Sequence, residues 1–187
     1  MNLPEIYKSH MYVSMHDMVI GILDGARSGD FVVFDIDDTV LHGYGPATKP
    51  HEIGMSILRE AKNRNIPVYY VTARPESPQN RLATYEDLER VGIIPHSSTV
   101  FMRPPHANTW PKISQFKTNS RKWVEDNFDK NMKGNCLMTI GDQWTDLMSF
   151  TDELDRDEMD MIFGRYYVLF RLPNKRQWGL KLKEPHT

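Results

Sequence analysis

The sequence has one cysteine, no long apolar run and little net charge, and each shortage excludes a class of protein. Cys136 is the single cysteine among 187 residues, so an internal disulfide is excluded and we expect a buried, reduced thiol in an intracellular protein. No apolar run approaches the roughly 20 residues of a membrane span. The first residues lack the pattern of a secretory signal, so we expect a cytoplasmic protein. A formal net charge of −2 indicates no electrostatic commitment to nucleic acid or anionic membranes.

The features that are present predict one globular domain. A chain of 187 residues with 40% hydrophobic and 26% charged residues is long enough to bury a sizeable core. We find no repeat, low-complexity tract or linker, so residues 1–187 are predicted to form a single domain. Apolar residues at helical spacing over residues 5–27 predict a helix within residues 1–28 that packs on the core or partly covers it.

The stretch from residue 31 to residue 41 combines a buried strand with a cluster of acidic side chains. It opens with four apolar or aromatic residues, which predict a strand buried on both faces over residues 31–36. Asp35, Asp37 and Asp38 follow, and buried carboxylates are costly unless their charge is offset. On a regular strand Asp35 and Asp37 would share one face, where they suit a divalent cation or a nucleophile with an acid/base partner. The plain alternative is a strand that ends in a polar turn.

Strands and helices alternate along the rest of the chain. Further strands are predicted over residues 66–74, 98–103, 136–141 and 166–173. Helices are predicted over residues 51–64, 79–91 and 118–132, and a turn or hairpin over residues 42–50. The helical spacing places Ile53, Leu82 and Trp123 among the residues that face the core. This alternation predicts an α/β fold, a Rossmann-like parallel sheet with helices on both faces.

The acidic stretch resembles the first motif of a known superfamily. Asp35-x-Asp37-x-Thr39-Val-Leu is similar to the opening motif of the haloacid dehalogenase (HAD) superfamily, whose members are mostly magnesium-dependent phosphatases. The resemblance implies that the strand over residues 31–36 lies at the centre of the sheet. The assignment depends on finding the partner motifs in order at strand ends.

The partner motifs follow in that order. Thr72 at a strand end, Lys117 before a predicted helix and Gly141-Asp142-x-x-x-Asp146 resemble the second, third and fourth motifs. The longer matches Gly-Asp-Gln-Trp-Thr-Asp-Leu and Phe-x-Leu-Pro-Asn resemble the acid phosphatase branch, which includes plant acid phosphatases and vegetative storage proteins.

Two lysines compete for the third motif. Lys117 precedes Thr118 and Asn119, both good N-cap residues, so the predicted helix begins just after it. A lysine at a helix start opposes the helix dipole, so local propensity does not explain its presence. Lys122 lies about 140° further around the helix, so both lysines cannot face one site. The motif, in which Lys is followed by small polar residues and Arg-Lys, favours Lys117; the alternative is a solvated surface lysine.

The resemblance implies a complete set of catalytic roles. Asp35 would attack phosphorus and form an aspartyl-phosphate, and Asp37 would protonate the leaving oxygen and then deprotonate the attacking water. Mg²⁺ would be held by Asp35, the Asp37 carbonyl and Asp142. Thr72 would donate a hydrogen bond to a phosphoryl oxygen without adding charge. Lys117 would neutralise the charge of the nucleophile and of the phosphoryl group.

Five further residues are candidates for supporting roles. Asp38, Arg74 and His42 are candidates for substrate binding. Arg74 either faces the site or holds a surface carboxylate, and His42 could equally be an exposed loop residue. Thr39 and Asp146 are expected to support the site, Asp146 from one helical turn beyond the predicted metal ligand.

Little sequence is available for a cap domain. Between Leu41 and Ile66 lie 24 residues, so we expect minimal or no cap and an open site, unless helix 5–27 or another chain covers it. The predicted function is Mg²⁺-dependent hydrolysis of a phosphomonoester, and an oligomer is compatible with it. Two alternatives stay open: a phosphatase for a nucleic-acid end or phosphoprotein, and a non-catalytic phosphate-binding or storage protein. The presence of Asp35 and Asp37 argues against the second alternative.

Overall fold

Five parallel strands form the central sheet. The computed structural model describes residues 19–129, 132–142, 146 and 166–169. Its elements in chain order are β1 (Asp30–Phe34), β2 (Leu41–His42), β3 (Lys49–Pro50), α1 (Glu52–Asn63), β4 (Val68–Pro75), α2 (Pro78–Arg90), β5 (Val100–Arg103), α3 (Trp110–Asn127), β6 (Asn135–Gly141) and β7 (Tyr166–Leu169). The sheet order is β5-β4-β1-β6-β7, and every pairing is parallel. The predicted α/β Rossmann-like sheet with its central strand is therefore confirmed.

Alternate residues of β1 build the two sides of the core, because successive strand side chains point to opposite faces. Val32 and Phe34 belong to a cluster that includes buried side chains of α1 and α2. Phe31 and Val33 belong to a second cluster that includes Val124 of α3. Helices therefore cover both faces of the sheet, and β1 ends in the middle of the molecule.

A small hairpin follows β1, as the glycines and prolines of residues 42–50 predict. Strands β2 and β3 are antiparallel, and the turn between them contains a 3₁₀ segment at Gly45–Ala47. Gly43 and Gly45 have φ angles of +78° and +58°, which glycine adopts readily. We call residues 44–48 the flap loop.

Helix α1 is held close to the turn that follows β1. The side chain of His51 caps this helix, since its Nδ1 accepts a hydrogen bond from the Gly54 backbone N–H at 3.2 Å. A Cβ added at Gly54 would overlap the backbone carbonyl of Thr39. Glycine at this position therefore permits the close approach that packs α1 against the turn carrying the acidic motif.

The predicted start of the third long helix is wrong. Helix α3 begins at Trp110 rather than after Lys117, and it ends at Asn127. Pro111 lies in its first turn. The absent N–H of a proline there costs no intrahelical hydrogen bond, so Pro111 is compatible with the start of the helix. Lys117 is therefore an interior helix residue, and the argument from the helix dipole does not apply to it.

Three residues predicted to face the core are exposed instead. Ile53, Leu82 and Trp123 expose 37%, 62% and 55% of their surface. On α2 the buried positions include Thr84 and Asp87, and both side chains accept hydrogen bonds from Arg74 of β4. Specific polar contacts thus override the apolar pattern of that helix.

The predicted helix over residues 5–27 is described at its end alone. Residues 19–24 are helical, Val19 and Leu23 are buried, and the rest of that prediction lies outside the described residues. The predicted buried thiol of Cys136 is confirmed. Among the described residues, no helix has both the length and the apolar character needed to cross a bilayer.

Candidate active site

The carboxyl ends of β1, β4 and β6 meet around a cavity of about 370 Å³. The ends are adjacent because β4 and β6 each pair with β1, and the Asp35 N–H donates to the Ile140 carbonyl at 2.8 Å. Carboxylates, cations and aromatic rings line the cavity: Asp35, Asp37, Asp38, Asp142, Asp146, Arg74, Lys117, Tyr44 and Trp110, with Ala73 and Pro75. Seven of the ten predicted site residues are in this lining. Thus the topology brings together groups separated by up to 111 positions in the sequence.

Lys117 lies between two buried carboxylates. Its Nζ donates to Asp35 Oδ1 at 2.6 Å and also to Asp146 Oδ1. Burial raises the pKa of Asp35, as does the nearby charge of Asp146, and Lys117 opposes both effects. Burial lowers the pKa of Lys117, but Asp146 and Asp35 outweigh it and raise that pKa above its usual value. Lys117 is therefore an ammonium, and it counters part of the local negative charge.

A divalent cation fits the group formed by Asp35, Asp142 and Asp146. Each offers one carboxylate oxygen, and these atoms lie within 4.8 Å of one another. Carboxylate oxygens are ligands that Mg²⁺ and Ca²⁺ prefer. The group contains two predicted ligands and adds Asp146, which was expected only to support the site. The third predicted ligand is a backbone carbonyl of Asp37, and the carboxylate of that residue is engaged elsewhere.

Arg74 holds the Asp37 side chain at the cavity wall. Its Nε donates to both carboxylate oxygens of Asp37 at 3.1 and 3.0 Å, and its Nη2 donates to Asp37 Oδ1 at 2.7 Å. Its Nη1 donates to Asp87 Oδ2 at 2.9 Å. The sequence left two roles open for Arg74. In the structure Arg74 lines the cavity and also binds two carboxylates, the partly exposed Asp37 and the buried Asp87.

The other three predicted site residues contact residues of the lining: Thr72 and Thr39 are buried, whereas His42 is exposed. Thr72 is fully buried, and its Oγ1 accepts a hydrogen bond from the Arg74 N–H at 3.2 Å. Thr39 Oγ1 donates to Asp35 Oδ2 at 3.5 Å. His42 Nδ1 lies 3.0 Å from Asp38 Oδ1, so the structure places it against a residue of the lining. Thr72 and Thr39 thus contact Arg74 and Asp35 directly.

Sequence reasoning missed Arg121 and did not explain Gly141 fully. Arg121 is buried and its Nη1 donates to the Asp146 carbonyl. Its spacing of four residues from Lys117 was an available signal, since such residues share a helix face. A Cβ added at Gly141 would overlap the Asp146 side chain, so glycine is needed there for close approach. Lys122, the rival lysine, is exposed.

A comparison with protein-family models places the chain in a family. The model for the HAD superfamily, subfamily IIIB (acid phosphatase), matches residues 45–176, more than two thirds of the chain. This range contains Thr72, Lys117, Asp142 and Asp146 and begins after the motif of Asp35. No curated protein matches the chain.

Proposed function

We propose that the chain, which belongs to subfamily IIIB (acid phosphatase) of the HAD superfamily, hydrolyses phosphomonoesters with the help of Mg²⁺ and forms an aspartyl-phosphate on Asp35. Membership of this family supports phosphatase activity. The observation that carries the finer proposal is the position of Asp35. It lies beyond the end of the central strand, beside Lys117 and within one group with Asp142 and Asp146.

Asp35 is the proposed nucleophile because its neighbours orient both carboxylate oxygens. Lys117 donates to Oδ1 and Thr39 to Oδ2, so the side chain has little freedom to turn. In the proposed first step an oxygen of Asp35 forms a bond to phosphorus while the bond from phosphorus to the ester oxygen breaks. Lys117 stabilises the negative charge that develops on the phosphoryl oxygens.

Asp37 is the proposed acid and base. It would protonate the departing ester oxygen, and would then take a proton from the water that cleaves the aspartyl-phosphate. Arg74 fixes the orientation of its carboxylate with three hydrogen-bond contacts. Such orientation matters because proton transfer needs hydrogen-bond distance to the reacting oxygen.

The proposed metal ligands are Asp35, the Asp37 carbonyl and Asp142, with Asp146 in the same group. Three buried carboxylates converge there, and Lys117 contacts two of them with one positive charge. When bound, Mg²⁺ would offset the remaining repulsion and polarise a phosphoryl oxygen. Asp38, Arg74 and Tyr44 also line the cavity, and their proposed role is to contact the rest of the substrate.

The test is phosphate release from a panel of substrates with Mg²⁺ and with a chelator. The panel contains an alkyl phosphate, nitrophenyl phosphate, a nucleotide, a phosphopeptide and an oligonucleotide with a terminal phosphate. Asp35→Asn should lower turnover by roughly four orders of magnitude or more. Asp24→Asn is the matched control, because Asp24 is exposed and pairs with Arg64. Turnover by Asp35→Asn at the rate of this control would reject the proposal.

A further inference from the structure

Asp87 is a buried acid on α2 with donors from several elements around it. It exposes 3% of its surface. Its Oδ1 accepts hydrogen bonds from the Gly45 N–H at 3.0 Å, from Thr48 Oγ1 at 3.1 Å and from Arg90 Nη1 at 2.8 Å. Its Oδ2 accepts from Arg74 Nη1 at 2.9 Å. Asp87 therefore joins the flap loop, helix α2 and the arginine that holds Asp37.

The planar shape of the guanidinium connects Asp87 to Asp37. Arg74 presents the edge formed by Nε and Nη2 to Asp37 and presents Nη1 to Asp87 and, at 3.3 Å, to Thr84 Oγ1. Because the donors of a guanidinium have fixed relative directions, fixing Nη1 also fixes the edge that binds Asp37. The Tyr44 ring adds a contact, with the Arg74 Cζ 5.2 Å from its centroid.

We propose that Asp87 is a positioning residue for the reaction: it holds Arg74 against Asp37 and ties the flap loop to the same cavity wall. The inference rests on the proposed function, because the expected effect of Asp87 on the rate depends on Asp37 acting as the acid. Asp87 itself touches no reacting atom. A buried ionic contact is weak evidence for stability alone, whereas this one orients a side chain that lines the cavity.

Asp87→Asn is the main variant. The amide keeps the size of the side chain but loses the charge and one acceptor, so Arg74 is no longer held. We expect kcat for an alkyl phosphate, which needs a proton on its leaving oxygen, to fall about tenfold to a hundredfold. For nitrophenyl phosphate, which leaves as a stabilised anion, we expect a fall of roughly threefold or less. The ratio of the two rates is the readout that a merely structural role would not move.

Two comparisons show whether Asp87 acts through Arg74. In an Arg74→Met background, Asp87→Asn should not change the ratio further. Glu76→Gln is the matched control, because Glu76 is an acid paired with Arg81 near the start of the same helix, and its ratio should equal that of the wild type. Equal slowing of both esters by Asp87→Asn, or an undiminished effect in the Arg74→Met background, would overturn the proposal.

A readout that needs no turnover is the NMR signal of the Arg74 Nε–H. In the wild type this proton is hydrogen-bonded to the Asp37 carboxylate, so we expect it to exchange slowly with water. In Asp87→Asn the exchange should become at least tenfold faster. Unchanged exchange would contradict the proposal.

If Asp87→Asn does not fold, Thr84→Val replaces it, because this variant removes the other acceptor of Arg74 Nη1. Thr84→Val must then shift the rate ratio and the exchange rate in the same directions. No shift in either would overturn the proposal. Absence of wild-type turnover would reject the proposed function, while the exchange rate would still decide the role of Asp87.

Discussion

Removal of the Lys117 ammonium should destabilise the metal-free protein strongly. Lys117, Asp35 and Asp146 have side chains that are 3%, 6% and 2% exposed, so in Lys117→Met water can do little to replace the ammonium that both carboxylates would lose. Breaking a buried ion pair in this way costs about 3–5 kcal/mol. The free energy of unfolding of a globular protein is about 5–15 kcal/mol, so Lys117→Met should have a much smaller free energy of unfolding than the wild type.

The assay is urea unfolding in a chelator, followed by tryptophan fluorescence. Lys122→Met is the matched control, because Lys122 is on the same helix but exposed, and its effect should be within about 0.5 kcal/mol. The double variant Lys117→Met/Asp146→Asn should be more stable than Lys117→Met, since it removes one of the two buried carboxylate charges that the ammonium would otherwise offset. If Lys117→Met costs no more than Lys122→Met, or if the double variant is the less stable, the account of this cluster is wrong.

Three further predictions concern the metal, the acid and a helix cap. Activity should be lost in a chelator and restored by Mg²⁺. Ca²⁺ should inhibit because it takes more and longer oxygen contacts. Full activity in the chelator would exclude the metal role of Asp142. Asp37→Asn should give a burst of about one nitrophenol per enzyme before a slow steady state, and stopped-flow traces without a burst would assign Asp37 another role. Burial lowers the pKa of His51 from 6.5, as does its neighbour His42, so the unfolded state binds more protons and stability is lost as the pH falls below about 6.5. His51→Asn keeps a cap acceptor and should lessen this loss in urea titrations at several pH values; an unchanged pH dependence would contradict the assignment.

The fold and most of the cavity lining could be predicted because they depend on local signals. Apolar runs that end in Asp35, Thr72 and Asp142 mark strand ends, and the carboxyl ends of neighbouring parallel strands meet. The resemblance to the HAD motifs singled out Lys117, although the helix that carries it begins eight residues earlier than predicted. The additional argument, that a lysine at a helix start opposes the helix dipole, does not apply, because Lys117 is an interior residue of the helix.

The contacts around Arg74 could not be predicted, because they join distant parts of the chain. Asp87 lies 39 positions from Thr48 and 42 from Gly45, and no local pattern indicates such partners. On α2 Asp87 is buried by these contacts and Leu82 is exposed, which reverses the expectation from helical periodicity. Burial of a polar residue is decided by its partners in the folded chain.

The central claim is that Asp35 becomes phosphorylated, and mass spectrometry of acid-quenched enzyme tests it most directly. During turnover of nitrophenyl phosphate with Mg²⁺, Asp37→Asn should carry about one phosphoryl group per chain, because the base for the second step is missing. Fragmentation of the peptide should place that group on Asp35, and Asp35→Asn should carry none. Phosphate release with no phosphorylated protein, or a phosphoryl group on another residue, would contradict the account.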